Sequence, residues 1–199
     1  KNMKQLGDSI VLVWGGRTER QAGGQRAGRH IPLWEKDVEV VREQCPLIAM
    51  VAGEVKREVA ASSEYNSGLF LALGVSPEYL QIRNLPVETG REINREDNNE
   101  GRRVCILGSS VKEQLFGYRG DALGRRVSIR GNPYYVVGLM GKKNQNSSYD
   151  GWDNDKILIP KTSLLRDCPP NWPGYEKGRI DTLVYRPVSV KEWDAAQRQ

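Results

Sequence analysis

Histidine is almost absent from this 199-residue chain, and His30 is the only one. It lies in an Arg/Gly-rich stretch with no Ser or Cys arrangement beside it. A His-based triad or a His-ligated metal centre would therefore rest on a single imidazole, and a solvated loop histidine is the better reading. Cysteine is also scarce. Cys45, Cys105 and Cys168 are odd in number and lack paired spacing, which excludes a disulfide framework and a zinc site. Cys105 falls in an apolar strand pattern and Cys45 on an apolar helix face, so both are expected as small core residues. A disulfide through Cys168 stays open in an oxidising compartment. No apolar run approaches the roughly 20 residues that a membrane-spanning helix needs. The longest, Ser67–Pro77, is interrupted by Gly74 and reads as a buried strand. Lys1–Gly7 is polar with no apolar region after it, so no signal peptide is expected there. There is no G-x-x-x-x-G-K-[ST], which excludes a P-loop, and Gly15-Gly16 lacks the spacing of a dinucleotide site.

What is present is a wet, mildly basic α+β pattern. The mean hydropathy of −0.60 and a hydrophobic fraction of 38% predict a soluble domain or two small subdomains, large enough for a core without staples. Thirty Lys+Arg against 25 Asp+Glu give a net charge of +5. Much of the excess sits between Trp14 and Ile31, where Arg17, Arg20, Arg26 and Arg29 accompany a single acidic residue, Glu19. Without interleaved aromatics this is no nucleic-acid face. A mobile, solvated excursion is the plain reading, and a contact arm for an acidic partner or anionic headgroups is the functional one. Asp150, Asp153 and Asp155 lack the glycine and distal glutamate of a calcium loop and are expected as solvated carboxylates.

Along the chain, Ser9–Trp14 predicts a strand. Pro32 is placed to open a helix that Pro46 closes, with Trp34, Val38, Val41 and Cys45 forming its buried stripe. Leu47–Ala61 and Leu69–Val75 predict paired strands, and Ser76-Pro77 starts a short helix. Arg95–Arg103 reads as a charged surface loop. Val104–Leu107 is a strand, Ser110 and Glu113 form an S-x-x-E capping box for a short helix, and Gly117 stops it. Arg125–Arg130 and Tyr134–Leu139 predict a hairpin turned at Gly131-Asn132. Lys156–Pro160 and Ile180–Arg186 are further strands. A helical turn is expected at Thr162–Leu165, and a second S-x-x-E box stands at Ser189–Glu192.

The short elements from Leu73 to Gly141 follow a specific order. Gly74-Val75-Ser76-Pro77-Glu78-Tyr79 is followed by Gly90-Arg91 with Asp97, then Val104–Gly108, Leu115–Gly117, Leu123-Gly124, Val136–Gly138 and finally Ile157–Pro160. Together they resemble the extracytoplasmic core domain of MacB/FtsX-like ABC-transporter permeases. Lys4–Ile10 and Pro32–Val41, with Asp37, resemble the family's opening segment and first helix. The likeness covers nearly the whole chain, and the departures are the basic loop Gly15–His30 and the Pro-rich Cys168–Gly178.

The resemblance implies an α+β fold of two lobes: a membrane-proximal porter-like βαβ lobe from residues 1–89 and 161–199, and a smaller mostly-β lobe inserted at 90–160. It implies a periplasmic domain of a protein in the cell (inner) membrane, with no active site, cofactor or metal of its own. ATP hydrolysis would lie in a cytoplasmic ATP-binding subunit or domain. The implied role is mechanical: passing ATP-driven movement to an adaptor, substrate or cell-wall enzyme. The implied partners are that ATPase, a second permease copy and a periplasmic adaptor, with no nucleic acid. Gly74, Pro77, Gly90, Gly108, Ser110, Gly117, Gly124 and Gly131 would then be turn and cap scaffold. Arg17, Arg20, Arg26 and Arg29 would be partner contacts. The alternative is a free-standing binding module that docks through residues 15–30.

Overall fold

The computed structural model describes residues 10–17, 28, 31–142, 151–170, 176–192, 195, 196 and 198. Its longest element is β3 (Ile48–Ser62), which turns through Ser63–Asn66 into β4 (Ser67–Val75) with an uninterrupted antiparallel register from Val55↔Gly74 to Ser62↔Ser67. The Ser63 hydroxyl closes this turn by accepting from the Tyr65 and Asn66 amides at 3.0 and 3.1 Å. Pro77 then opens α2 (Pro77–Arg83) at the one helical turn where a missing N–H costs nothing.

The remaining strands close a ring. β4 pairs in parallel with β9 (Lys156–Pro160), β9 antiparallel with β6 (Val104–Leu107), β6 in parallel with β8 (Asn132–Met140), and β8 antiparallel with β7 (Arg126–Ile129). β7 returns to β3 through Ala61↔Ile129 and Ser62↔Ser128. β11 (Thr182–Pro187) and β1 (Val11–Trp14) extend the sheet from the other end of β3, and β5 (Val87–Gly90) lies along β8. A two-stranded piece joins β2 (Leu33–Trp34) to β10 (Arg179–Ile180).

Period-two alternation assigns each face its own core. Val59, Ala61, Phe70, Ala72, Cys105, Leu107, Val127, Ile129, Tyr134, Val136, Ile157 and Ile159 belong to one cluster. Into it pack Val38 of α1 (Glu35–Gln44), Val111, Leu115 and Phe116 of α4 (Ser109–Phe116), and Leu164 of α5 (Lys161–Asp167). The opposite face gathers Ala52, Leu73, Val75, Ile106, Leu158 and Val184 under Tyr79, Leu80 and Ile82 of α2. The sheet is continuous across residues 90 and 160, and segments on both sides of those positions contribute to both clusters.

Several local expectations change. Pro32 does not open α1, because Leu33 and Trp34 are drawn into the pairing with β10. The helix therefore starts at Glu35, with Asp37 accepting from the Trp34 amide at 2.8 Å. The charged stretch after Gly90 holds a helix, α3 (Arg95–Asn99). Asn94 caps it by accepting from the Asp97 amide at 2.9 Å, and Asp97 returns the bond by accepting from the Asn94 amide at 3.0 Å. α4 begins one residue before the expected box: Gly108 is its N-cap and Ser110 is exposed inside the first turn without a capping bond. The helical turn expected at Thr162–Leu165 is the full helix α5. The β7–β8 turn is Arg130-Gly131, both at positive φ (47° and 82°), which is the handedness that a tight hairpin requires.

Candidate functional site

The described residues contain no group of His, Cys, Asp or Glu arranged to hold a metal ion. All three cysteines are buried free thiols, so Cys168 forms no disulfide, and burial pushes the Cys105 thiol up to about 12. What the fold assembles instead is a set of polar junctions that fasten its helices to the sheet.

α5 is the hub. Its first residue, Lys161, donates its amide to the Asn98 side chain at 2.9 Å and its ammonium to Glu35 of α1 at 2.5 Å. Ser163 donates to the Arg102 carbonyl at 2.7 Å, and Arg166 donates to the Gly101 carbonyl at 2.8 Å. At its end the Asp167 carboxylate accepts bonds of 2.8 to 3.1 Å from Arg103, Arg166 and the Tyr134 hydroxyl. Burial alone would raise the Asp167 carboxyl, but the bonds from Arg166, Arg103 and Tyr134 hold it well below the usual carboxylate range. Tyr134 is pushed the opposite way, by burial and by its donation to Asp167. One seven-residue helix is thus bonded to α1, α3 and the ring.

Two further clusters are more deeply buried. Arg83 and Lys156 both reach Oδ1 of Asp153, at 3.0 and 3.2 Å, with all three side chains at most 3% exposed. Asp153 is therefore no solvated loop carboxylate: it is buried and paired with two buried cations. On the α2 face the Tyr79 hydroxyl donates to the Glu54 carboxylate, and Lys56 pairs with that same carboxylate at 3.0 Å. Sequence reasoning missed these groups. The one available signal was the placement of charged residues inside otherwise apolar strand patterns.

Of the expected scaffold residues, Gly90, Gly117, Gly124 and Gly131 sit at positive φ. Gly108 is required for space instead: a Cβ there would meet the Asn154 carbonyl oxygen at 2.2 Å. Gly74 lies in β4 with α5 above it, where a Cβ would meet Leu164 at 3.0 Å, and Pro77 is the first residue of α2. Arg17 is exposed beside β1, while Arg20, Arg26, Arg29 and His30 lie outside the described residues, as does Asp150.

The match to known proteins follows this architecture. The MacB-like periplasmic core domain family matches residues 1–199. The chain belongs to that family. It is similar to the macrolide export ATP-binding/permease protein MacB of Rhodopirellula baltica, being 30% identical over 161 residues that cover 80% of this chain and 23% of that protein. Among solved structures, the periplasmic region of MacB from Actinobacillus actinomycetemcomitans superposes with a TM-score of 0.76 at 18% identity, covering 100% of this chain and 83% of that one. The extracellular domain of the noncanonic ABC-type transporter YknZ from Gram-positive bacteria gives 0.66 at 17% identity, covering 83% and 78%. These structural likenesses show the mixed α/β fold. The chain spans about a quarter of the length of the curated relatives it matches.

Proposed function

We propose that this domain is the extracytoplasmic part of a membrane-bound ABC-transporter permease, and that it passes ATP-driven movement to a partner outside the membrane without catalysing a reaction itself. The observation that carries this reading is the pairing of β1 with β11, in which Val11 lies opposite Tyr185. The path into the sheet and the path out of it run side by side, about 5 Å apart as neighbouring strands are. Two neighbouring segments of a longer chain would therefore push or pull on the domain at one place. From there the sheet and the α5 junctions pass the displacement on as a stiff body, because packed layers resist continuous deformation.

In this reading the energy comes from a cytoplasmic ATP-binding domain or subunit. The permease works as a pair of copies, and a periplasmic adaptor or the transported substrate receives the motion. No cofactor is assigned to the domain. The relatives' name, macrolide export ATP-binding/permease protein, supports that arrangement.

The test replaces residues 11–187 in the parent protein with a short Gly/Ser linker, which neighbouring strand ends allow. Membrane insertion and ATP hydrolysis should persist while export is lost. Export at the unmodified rate would overturn the reading.

A further inference from the structure

The ring closes at a short seam, where β7 meets β3 through Ala61↔Ile129 and Ser62↔Ser128. At this seam two hollows of about 440 and 310 Å³ meet end to end at Ser62 and Ser128. One is lined by Ala60, Gly68 and Leu69 together with Arg130, and Leu69 is 70% exposed although it is an aliphatic residue in a strand. The other is walled by Arg125 and Arg126, with Glu64 the only acidic residue lining either hollow.

Arg126 makes no ion pair among the described residues, and its strand neighbour Val127 points into the core. Arg125 approaches Glu64 only at 3.7 Å with both side chains more than half exposed, a contact worth little that a better partner would displace. The hydroxyls of Ser62, Ser67 and Ser128 make no hydrogen bond among the described residues, so the seam offers uncommitted donors. Tyr65, 64% exposed, stands edge-on to Phe116 beside Glu64. Exposed Tyr and Arg beside an aliphatic floor is the composition of a protein interface core, not of an ordinary surface.

We infer that this seam docks an extended, acidic segment of a partner protein. The cationic hollow takes its carboxylates, and an apolar side chain of the segment seats against Leu69 and Ala60. The charge is complementary and the site is elongated along the strands. Its aliphatic part, Leu69 and Ala60, is a contact that a bare phosphate or polyanion cannot use. This names a partner surface for the transmitting role proposed above and rests on that reading.

The experiment uses this chain and a fluorescein-labelled peptide of alternating Glu, Leu and Asp, with a Gln/Leu/Asn peptide and polyphosphate as comparison probes, followed by anisotropy. The acidic peptide should bind with an affinity that falls as salt rises, and the neutral peptide at least tenfold more weakly. Arg125→Ser with Arg126→Ser should lose at least tenfold. Leu69→Ser should weaken the peptide but leave polyphosphate unchanged. Because all three positions are exposed, circular dichroism melts should match the parent chain.

No acidic-peptide binding, binding indifferent to both changes, equal affinity for polyphosphate and peptide, or binding lost only on replacing Arg17 and Arg20 would each overturn the docking site. If docking fails while the linker-replaced parent still loses export, the transmission reading stands without it. If that parent exports normally, the transmission reading itself falls.

Discussion

Replacing Asp153 with Asn tests whether the buried charge cluster holds α2 and β9 together. The substitution keeps the side-chain volume and removes the carboxylate charge that Arg83 and Lys156 share, both of which bond the same oxygen. Sharing that oxygen at 3.0 and 3.2 Å puts the two cationic nitrogens within about 6 Å of each other. At an effective dielectric of about 20, two like charges at that distance repel by roughly 3 kcal/mol. Loss of the attraction adds to this, and breaking buried pairs by removing one partner costs about 3–5 kcal/mol. For a domain of this size each kcal/mol moves Tm by about 2–4 °C, so the expected drop is roughly 6–20 °C. Urea titration at pH 7 and thermal melts measure it. Lys156→Met in the Asp153→Asn background should recover part of the loss by removing the like charge, giving a coupling of about 1–3 kcal/mol. A single variant within about 1 kcal/mol of the parent chain, or a strictly additive double variant, would refute the reasoning.

Acid should destabilise the domain through Asp97 and Asp167, whose carboxyls are both held low. Depressed folded values mean this stability is complete above the unfolded Asp value of about 3.9 and is lost as pH falls below it through the folded values. Urea midpoints from pH 7 to pH 2 should show that limb, and Asp167→Asn should flatten it, whereas an unchanged pH profile would count against the cluster. Gly108→Ala should cost more than Gly131→Ala, about 2–3 against about 1 kcal/mol. The first drives a Cβ to 2.2 Å from a backbone oxygen, and the second meets open space at a φ of 82°. The reverse order by urea titration would sink this comparison. Cys105, fully buried with its thiol at about 12, should resist a disulfide-exchange reagent at pH 8 until denaturant is added, and rapid labelling of the native chain would contradict its burial.

Local features were legible because local chemistry decides them. The β3–β4 hairpin, Pro77 at the start of α2, the glycine stop after Phe116 and the β7–β8 hairpin each follow from neighbouring residues. The expectations that changed are those where a distant partner intervened. Leu33 and Trp34 became extended because Arg179 and Ile180 offered them a ladder. α3 formed inside a charged stretch because its caps are short-range but its Asp97 is bonded by Arg91, outside the helix. Asp153 was unreadable as a buried anion because nothing near it announces Arg83, which comes from a different element.

The sequence alone determined the alternation that separates two core faces and the punctuation that sets most strand ends. It also supplied the ordered glycine and proline signature that led to the family. Only the tertiary structure decided that β7 reaches β3 to close a ring, that β4 and β9 run in parallel, and that α5 gathers Glu35, Asn98, Arg103 and Tyr134 into one junction. The reason is physical. Turn chemistry and hydrophobic period are properties of adjacent residues, whereas strand partnership and the burial of a charge depend on which remote groups arrive to satisfy them.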